Sequence, residues 1–151
     1  MHLKIPPAII AIMALITMVI IAKSLPQFSF LLPNKLLIAI VVAITGISIA
    51  AAGVVAFRKL QTTVNPTKPG TASTLAVDGI YKWSRNPMYL GLLLFLIACG
   101  IYSANLIALV VMPFVFLVYM TVYQIKPEED ALTLIFGEDF VQYKARVRRW
   151  L

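Results

Sequence analysis

Four apolar runs, 5–22, 36–57, 87–102 and 106–125, alternate with shorter polar segments, and a polar tail closes the chain. None of the four contains a charged side chain. Such a run has no polar face to turn toward water. It is expected to be a helix in lipid, where the backbone must satisfy its own hydrogen bonds. The second run is ample to cross a hydrocarbon core of about 30 Å at about 1.5 Å per residue. Its Gly46, Ser48, Ala50, Ala51, Ala52 and Gly53 are small residues suited to close helix packing, and Arg58 and Lys59 stop it. The third run is shorter. With the fourth, across the tight turn Ser103-Ala104-Asn105, it predicts a helical hairpin. Pro113 is expected to kink the fourth run, a distortion that neighbouring helices absorb.

The first run has a rival reading as the apolar region of a signal peptide. Its leading segment carries only His2 and Lys4, and Lys23-Ser24-Leu25-Pro26 is a poor cleavage site, so 5–22 is expected to be a retained span. A loop with Pro26, Pro33 and Asn34 follows at 23–35. In 60–86, Pro66, Pro69 and Gly70 argue against a continuous helix in the first half. The tail, 126–151, reads as helical. Pro127, Glu128, Glu129 and Asp130 suit a helix N-terminus, and Gly137 breaks the helix. Phe140, Tyr143, Val147 and Trp150 then recur at helical spacing, with Lys144, Arg148 and Arg149 on the other face. The fold class expected is therefore an all-α integral membrane protein: four transmembrane helices and a cytoplasmic amphipathic tail helix. It forms one domain of four parts, 1–57, 58–86, 87–125 and 126–151.

Composition supports the membrane reading. Of the 151 residues, 61% are hydrophobic and 13% charged, against about 25% charged in a soluble domain. The net charge of +7 fits cytoplasmic flanks on anionic lipid better than a nucleic-acid partner. Of 13 Lys and Arg residues, only Lys23 and Lys35 fall in the first loop; the other 11, and all six acids, lie in the remaining polar segments. The positive-inside rule then puts both termini and both long polar segments in the cytoplasm, with any chemistry at that face. A single cysteine, Cys99, excludes an internal disulfide and reads as a small apolar residue. No His, Cys and carboxylate cluster has metal-ligand spacing, so no metal is expected. The final Arg148-Arg149-Trp150-Leu151 is not a prenylation signal.

The chemistry converges on the stretch Gly79 to Gly91, where a polar segment becomes an apolar one. Asn86 followed by Pro87 reads as N-cap and first helical residue. Arg85 is thereby held beside free N–H groups and a positive helix end, with Tyr81 and Tyr89 nearby. Each feature has a plain alternative. Arg85 also fits a positive-inside anchor, Tyr81, Trp83 and Tyr89 an interfacial aromatic belt, and Glu128 and Glu129 simple helix-terminal charges.

Two blocks together resemble the isoprenylcysteine carboxyl methyltransferase family and its bacterial relatives, including phospholipid N-methyltransferases. The first is Leu75-Ala76-Val77-Asp78-Gly79-Ile80-Tyr81 followed by Arg85-Asn86-Pro87-Met88-Tyr89-Leu90-Gly91. The second is Glu128-Glu129, Leu132, Phe136-Gly137-Glu138 and Tyr143-Lys144-Ala145-Arg146-Val147. The resemblance covers 60–149. In the prenylcysteine enzymes the middle residue of Arg-x-Pro is usually His; Asn86 stands there here, as in the bacterial relatives. The chain after Val147 runs only to Leu151, which leaves little length for substrate-gating contacts.

The resemblance implies S-adenosyl-L-methionine as cofactor, in a pocket of the loop, the hairpin ends and the tail. It implies Leu75, Gly79, Tyr81, Arg85, Asn86, Pro87, Tyr89, Glu128 and Glu129 as cofactor-binding, with Glu128 favoured over Glu129 to face the ligand. It implies Arg85, Glu128 and Arg146 as the residues carrying catalysis, Arg85 or Arg146 anchoring an acceptor carboxylate or phosphate. The residues suit this chemistry. Methyl displacement at a sulfonium needs placement and a dry polar cavity more than acid–base groups. A sulfonium suits tyrosine faces and a nearby carboxylate, and an anion suits helix N–H groups. The expected partner is a lipidic or amphiphilic acceptor, a carboxylate, thiol, amine or phospholipid, reached from the bilayer. Two other classes stay open: a sterol-type reductase, whose NADPH 2′-phosphate would want Arg146, Arg148 and Arg149 clustered, and a non-enzymatic membrane subunit.

Overall fold

The computed structural model describes residues 5–59 and 74–151. The helix-breaking expected of Pro66, Pro69 and Gly70, and the placement of His2 and Lys4, lie outside the described residues. The described chain is mostly helical: α1 (Pro7–Ser24), α2 (Lys35–Lys59), α3 (Pro87–Ser103), α4 (Leu106–Tyr119), a π-helical segment (Met120–Ile125), α5 (Lys126–Phe136) and α6 (Glu138–Arg146). Among the described residues there is no strand, only an isolated bridge between Ser29 and Asn105.

Three helices are long and apolar enough to cross a membrane: α1, α2, and the 31-residue run Leu106–Phe136 made of α4, the π segment and α5. Their outer faces are oily. Ile12, Ile16, Ile20, Val41, Ile44, Ile47 and Phe114 are each more than half exposed. In water such a surface would drive aggregation; in lipid it is the solvated face. The chain is thus an all-α membrane protein. The third apolar run is different. α3 has 17 residues, about 25 Å at about 1.5 Å each, short of a core of about 30 Å. It is instead the most enclosed helix, sandwiched between α2 and the α1–α4 pair.

That central place follows from small residues. Gly91 on α3 meets Gly46 and Ala50 on α2 so closely that a Cβ on Gly91 would stand 2.5 Å from the Gly46 carbonyl oxygen and 2.6 Å from Ala50 Cβ. No larger side chain fits that crossing. The other side of α3 builds the core: Tyr89, Leu93 and Leu96 pack with Ala11, Ala14 and Met18 of α1 and with Ala108, Phe116, Met120 and Ile125.

Pro113 lies buried inside α4. One expectation about helix ends changes. Glu128 and Glu129 do not sit at a free helix N-terminus, because α5 continues from the π segment with no break. Pro127 has no N–H to give a regular helical bond, and the helix widens just before it: the N–H of Lys126 bonds the Thr121 carbonyl, five residues back. The break at Gly137 is as read. Its φ of 53° and ψ of −124° suit glycine alone, and α6 turns back from there.

Candidate active site

The segment before α3, the π segment, α5, α6 and the end of α2 meet at one end of the helix bundle. A short turn, Gly79–Lys82, carries Tyr81 inward. Tyr81, Phe140, Tyr143 and Ala76 form a second, smaller core with Phe57, Leu132 and Val147 around it. Phe57 stands edge-on to Tyr81 at 5.4 Å, and the Tyr143 hydroxyl donates to the Tyr81 carbonyl at 2.7 Å. Phe140 and Tyr143 are 2% and 4% exposed, so protein covers the apolar stripe of the tail.

Between these elements lies a cleft of about 490 Å³, its open mouth included. Phe57, Leu75, Ala76, Leu132 and Phe140 give it apolar walls; Tyr81, Arg85, Asn86, Glu128, Glu129 and Tyr143 give it polar ones. Of the expected site residues, Leu75, Tyr81, Arg85, Asn86, Glu128 and Glu129 line it together. Tyr89 stands behind Glu128, its hydroxyl donating to both carboxylate oxygens at 2.9 and 3.1 Å. Gln124 of the π segment donates to the same hydroxyl at 3.4 Å.

Three expected residues stand elsewhere. Gly79 supplies a turn, at φ 62°, away from the cleft walls. Pro87 opens α3 and packs near Gly53 of α2. Arg146 is exposed, and its Nε donates to the Gln142 carbonyl one turn back on its own helix. The tail arginine that meets Glu129 is Arg149, expected on the outer face with Lys144 and Arg148. Helical spacing fails to place it because α6 ends at Arg146 and Val147 is extended, at φ −120° and ψ 132°. Arg146 and Arg148 both face solvent while Arg149 turns inward, so the three do not form the cluster that a nucleotide 2′-phosphate would want.

Asn86 is the N-cap of α3 by position, but its side chain makes no cap bond. The amide Nδ2 donates to the Arg149 carbonyl at 2.9 Å, and the Arg85 N–H donates to the Arg148 carbonyl at 3.1 Å. The short stretch after Val147 is therefore laid directly on the Arg-Asn-Pro segment. Ser84 and Gln124 are further residues around the site that the sequence motifs did not single out; Tyr143, part of the second motif block, also lines the cleft. Buried Ser84 accepts the Asn86 N–H at 3.1 Å. Gln124 carried a readable signal, as a polar amide within an otherwise apolar run.

The electrostatics are uneven. Glu129 binds two guanidiniums, Arg85 Nη2 at 3.2 Å and Arg149 at 3.0 and 2.7 Å. Burial pulls the Arg85 guanidinium below its usual value, opposed by Glu129 and reinforced by Arg149. The bond to Glu129 raises Arg149. Glu128 has no cation of its own among the described residues: burial pushes it up to about 7, against the hydrogen bonds from Tyr89 and Gln124. Burial also raises the Tyr81 and Tyr143 hydroxyls. The Tyr81 hydroxyl and the Arg85 Nε and Nη1 are buried with no hydrogen-bond partner among the described residues. Three buried donors without acceptors are costly in a folded protein and mark where a polar ligand fits.

A model of the phospholipid methyltransferase family matches residues 34–139. The chain is 32% identical over 81 residues to a protein-S-isoprenylcysteine O-methyltransferase of Saccharomyces cerevisiae, covering 54% of this chain and 34% of that protein. It is 39% identical over 64 residues to a protein of Haemophilus influenzae described as uncharacterized, 42% of this chain and all of that one. The match thus spans about a third of the yeast enzyme. The family match takes in α2, the Arg-Asn-Pro segment, the hairpin, the acidic pair and the start of α6, and by that extent the chain belongs to the phospholipid methyltransferase family.

Proposed function

We propose that the protein is an S-adenosylmethionine-dependent methyltransferase acting at the cytoplasmic membrane face on a lipidic or amphiphilic acceptor. One observation carries the reading: in a chain of this family, the unpartnered donors of Arg85 and Tyr81 share one cleft with the uncompensated carboxyl of Glu128. An amino-acid end with its carboxylate, an adenosine and a cationic sulfonium ask for such a set. The cofactor supplies a methyl group activated on a positive sulfur. Arg85 and Tyr81 would hold anionic and hydroxyl groups, Glu128 and the tyrosine faces would hold positive charge, and Phe57, Leu75 and Leu132 would exclude water from the adenosine side.

The work of these residues is placement. Glu128 is fixed by Tyr89, Tyr81 by Tyr143 and Phe57, and Arg85 by Glu129, so the polar groups are oriented before a ligand arrives. The acceptor would be a carboxylate, thiol, amine or phospholipid headgroup arriving from the bilayer. An apolar groove of about 670 Å³, its open side included, lies between α1 and α4 along Met13, Met112, Phe116 and Tyr119 and suits the tail of such a molecule. In this reading 58–86 and 126–151 are cytoplasmic, α3 completes four spans, and 23–35 lies on the far side.

The test is transfer of labelled methyl from S-adenosylmethionine to lipid in vesicles holding the purified protein. Label entering the organic phase, in amounts that scale with protein, is expected. No transfer to any lipid or amphiphile offered, together with consumption of NADPH, would replace this reading with a reductase. Cysteines placed at Gln27 and Asp78 in a Cys99→Ser background should react with an impermeant reagent from opposite faces; labelling from one face would remove the topology.

A further inference from the structure

We propose that Arg149 is a positioning residue of the methyl-transfer site, acting through Glu129 to hold Arg85 with its free donors in the cleft. The inference rests on the reading of the cleft given under Proposed function. α6 stops at Arg146, and residues 147–151 run back over the segment that precedes α3. Three polar contacts tie them down: Arg148 O to the Arg85 N–H, Arg149 O to the Asn86 amide, and the Trp150 indole N–H to Thr121 Oγ1 at 3.1 Å. Trp150 also packs against the main core. The strap is thus anchored by its backbone and by Trp150, leaving the Arg149 side chain free for another task.

That side chain takes Glu129 in a two-pronged grip, Nε on one oxygen and Nη2 on the other. Glu129 in turn reaches only one nitrogen of Arg85, Nη2 at 3.2 Å. The geometry has two consequences. With both oxygens held, Glu129 cannot rotate to take a second Arg85 nitrogen, so Nε and Nη1 stay available. With two guanidiniums on one carboxylate, the cluster keeps one surplus positive charge beside the cleft, which an Arg85–Glu129 pair alone would lack. A planar fork is required for this grip, and a lysine ammonium would not supply it.

The experiment uses the full chain in lipid nanodiscs with Trp83→Phe, a change at an exposed residue outside the cleft. Trp150 is then the sole tryptophan and reports whether the strap is docked. S-adenosylhomocysteine is titrated by calorimetry into this parent, Arg149→Ala, Arg149→Lys, Glu129→Gln and the Arg149→Ala/Glu129→Gln double variant. We expect affinity to fall tenfold or more in Arg149→Ala with Trp150 emission unmoved, to stay at least fivefold down in Arg149→Lys, and to be no weaker in the double variant than in the weaker single one. In turnover, KM for the methyl donor should rise more than kcat falls. Should Arg149→Ala shift the Trp150 emission, Arg149→Lys with the emission unmoved decides by the same criterion. Affinity within twofold of the parent, or losses that simply add in the double variant, would overturn the role of Arg149 alone. A parent that binds no S-adenosylhomocysteine would overturn the reading of the cleft and this role with it.

Discussion

The two ends of the α3–α4 hairpin each bury a polar side chain, and they treat it in opposite ways. At the turn, Asn105 is fully buried and fully used. Its amide donates to the Leu25 carbonyl at 2.9 Å, its oxygen accepts the Ala108 N–H at 3.2 Å, and next to it Phe30 N–H bonds the Ala104 carbonyl. At the open end, three buried donor atoms of Arg85 and Tyr81 are unused and Glu128 has no cation among the described residues. A satisfied buried network fastens loops; an unsatisfied one costs stability and is kept where a ligand completes it. The contrast separates structure from function within a single hairpin.

The sharpest break in the contrast is Arg85→Ala. Losing a desolvated charge contact to a ligand costs about 2–5 kcal/mol, so turnover should fall about thirtyfold or more while the melting temperature stays close to the parent's. Arg85→Lys should also be impaired, because a point charge does not replace the fork. Full turnover in either would make Arg85 a lipid anchor. Asn105→Ala should do the reverse. It leaves the Leu25 carbonyl and the Ala108 N–H unpaired, which costs about 1–3 kcal/mol of stability, visible in denaturant melts, with affinity for S-adenosylhomocysteine unchanged.

Glu128 sharpens the contrast through pH. With its pKa pushed up to about 7, the group is protonated below that pH and a carboxylate above it. Affinity for the cationic S-adenosylmethionine should therefore rise as pH climbs through 7 and fall toward tenfold per unit below it; calorimetry across that range should show the slope, and Glu128→Gln should flatten it. Stability runs the other way. The folded protein keeps a proton that the unfolded chain releases near 4.5, so this group's contribution is present at acid pH and is lost as pH rises through 7. The smallest effect is Tyr143→Phe, which removes one bond to the Tyr81 carbonyl and should cost about 1 kcal/mol in a thermal melt.

Much of this was readable from the chain. Apolar runs without charge can only be lipid-facing or core helices, so α1, α2 and α3 stand within two residues of their expected limits, and the fourth run is α4 together with the π segment. Gly46, Ala50 and Gly53 were legible as a packing face because only small residues permit that approach. Phe140 and Tyr143 of the tail stripe were legible because periodicity survives inside α6. What was not legible depends on where periodicity stops. Arg149 lies beyond the end of α6, and face arithmetic sent it outward with Arg148. Asn86 has the residue type of a cap, yet its amide bonds a carbonyl 63 positions away. Glu128 and Glu129 look like the start of a helix, and only the π segment before Pro127 reveals that the helix never began there. Contacts of long sequence separation leave no local pattern to read.

The central claim is that the cleft between 74–86 and the tail is where S-adenosylmethionine binds. Ultraviolet cross-linking of the labelled cofactor to the protein in nanodiscs, followed by peptide mapping, tests it most directly. The account predicts label on peptides from 74–86 and 126–143, displaced by S-adenosylhomocysteine, untouched by NADPH, and absent in Arg85→Ala. Label confined to α1 and α4, or displaced by NADPH instead, would contradict it.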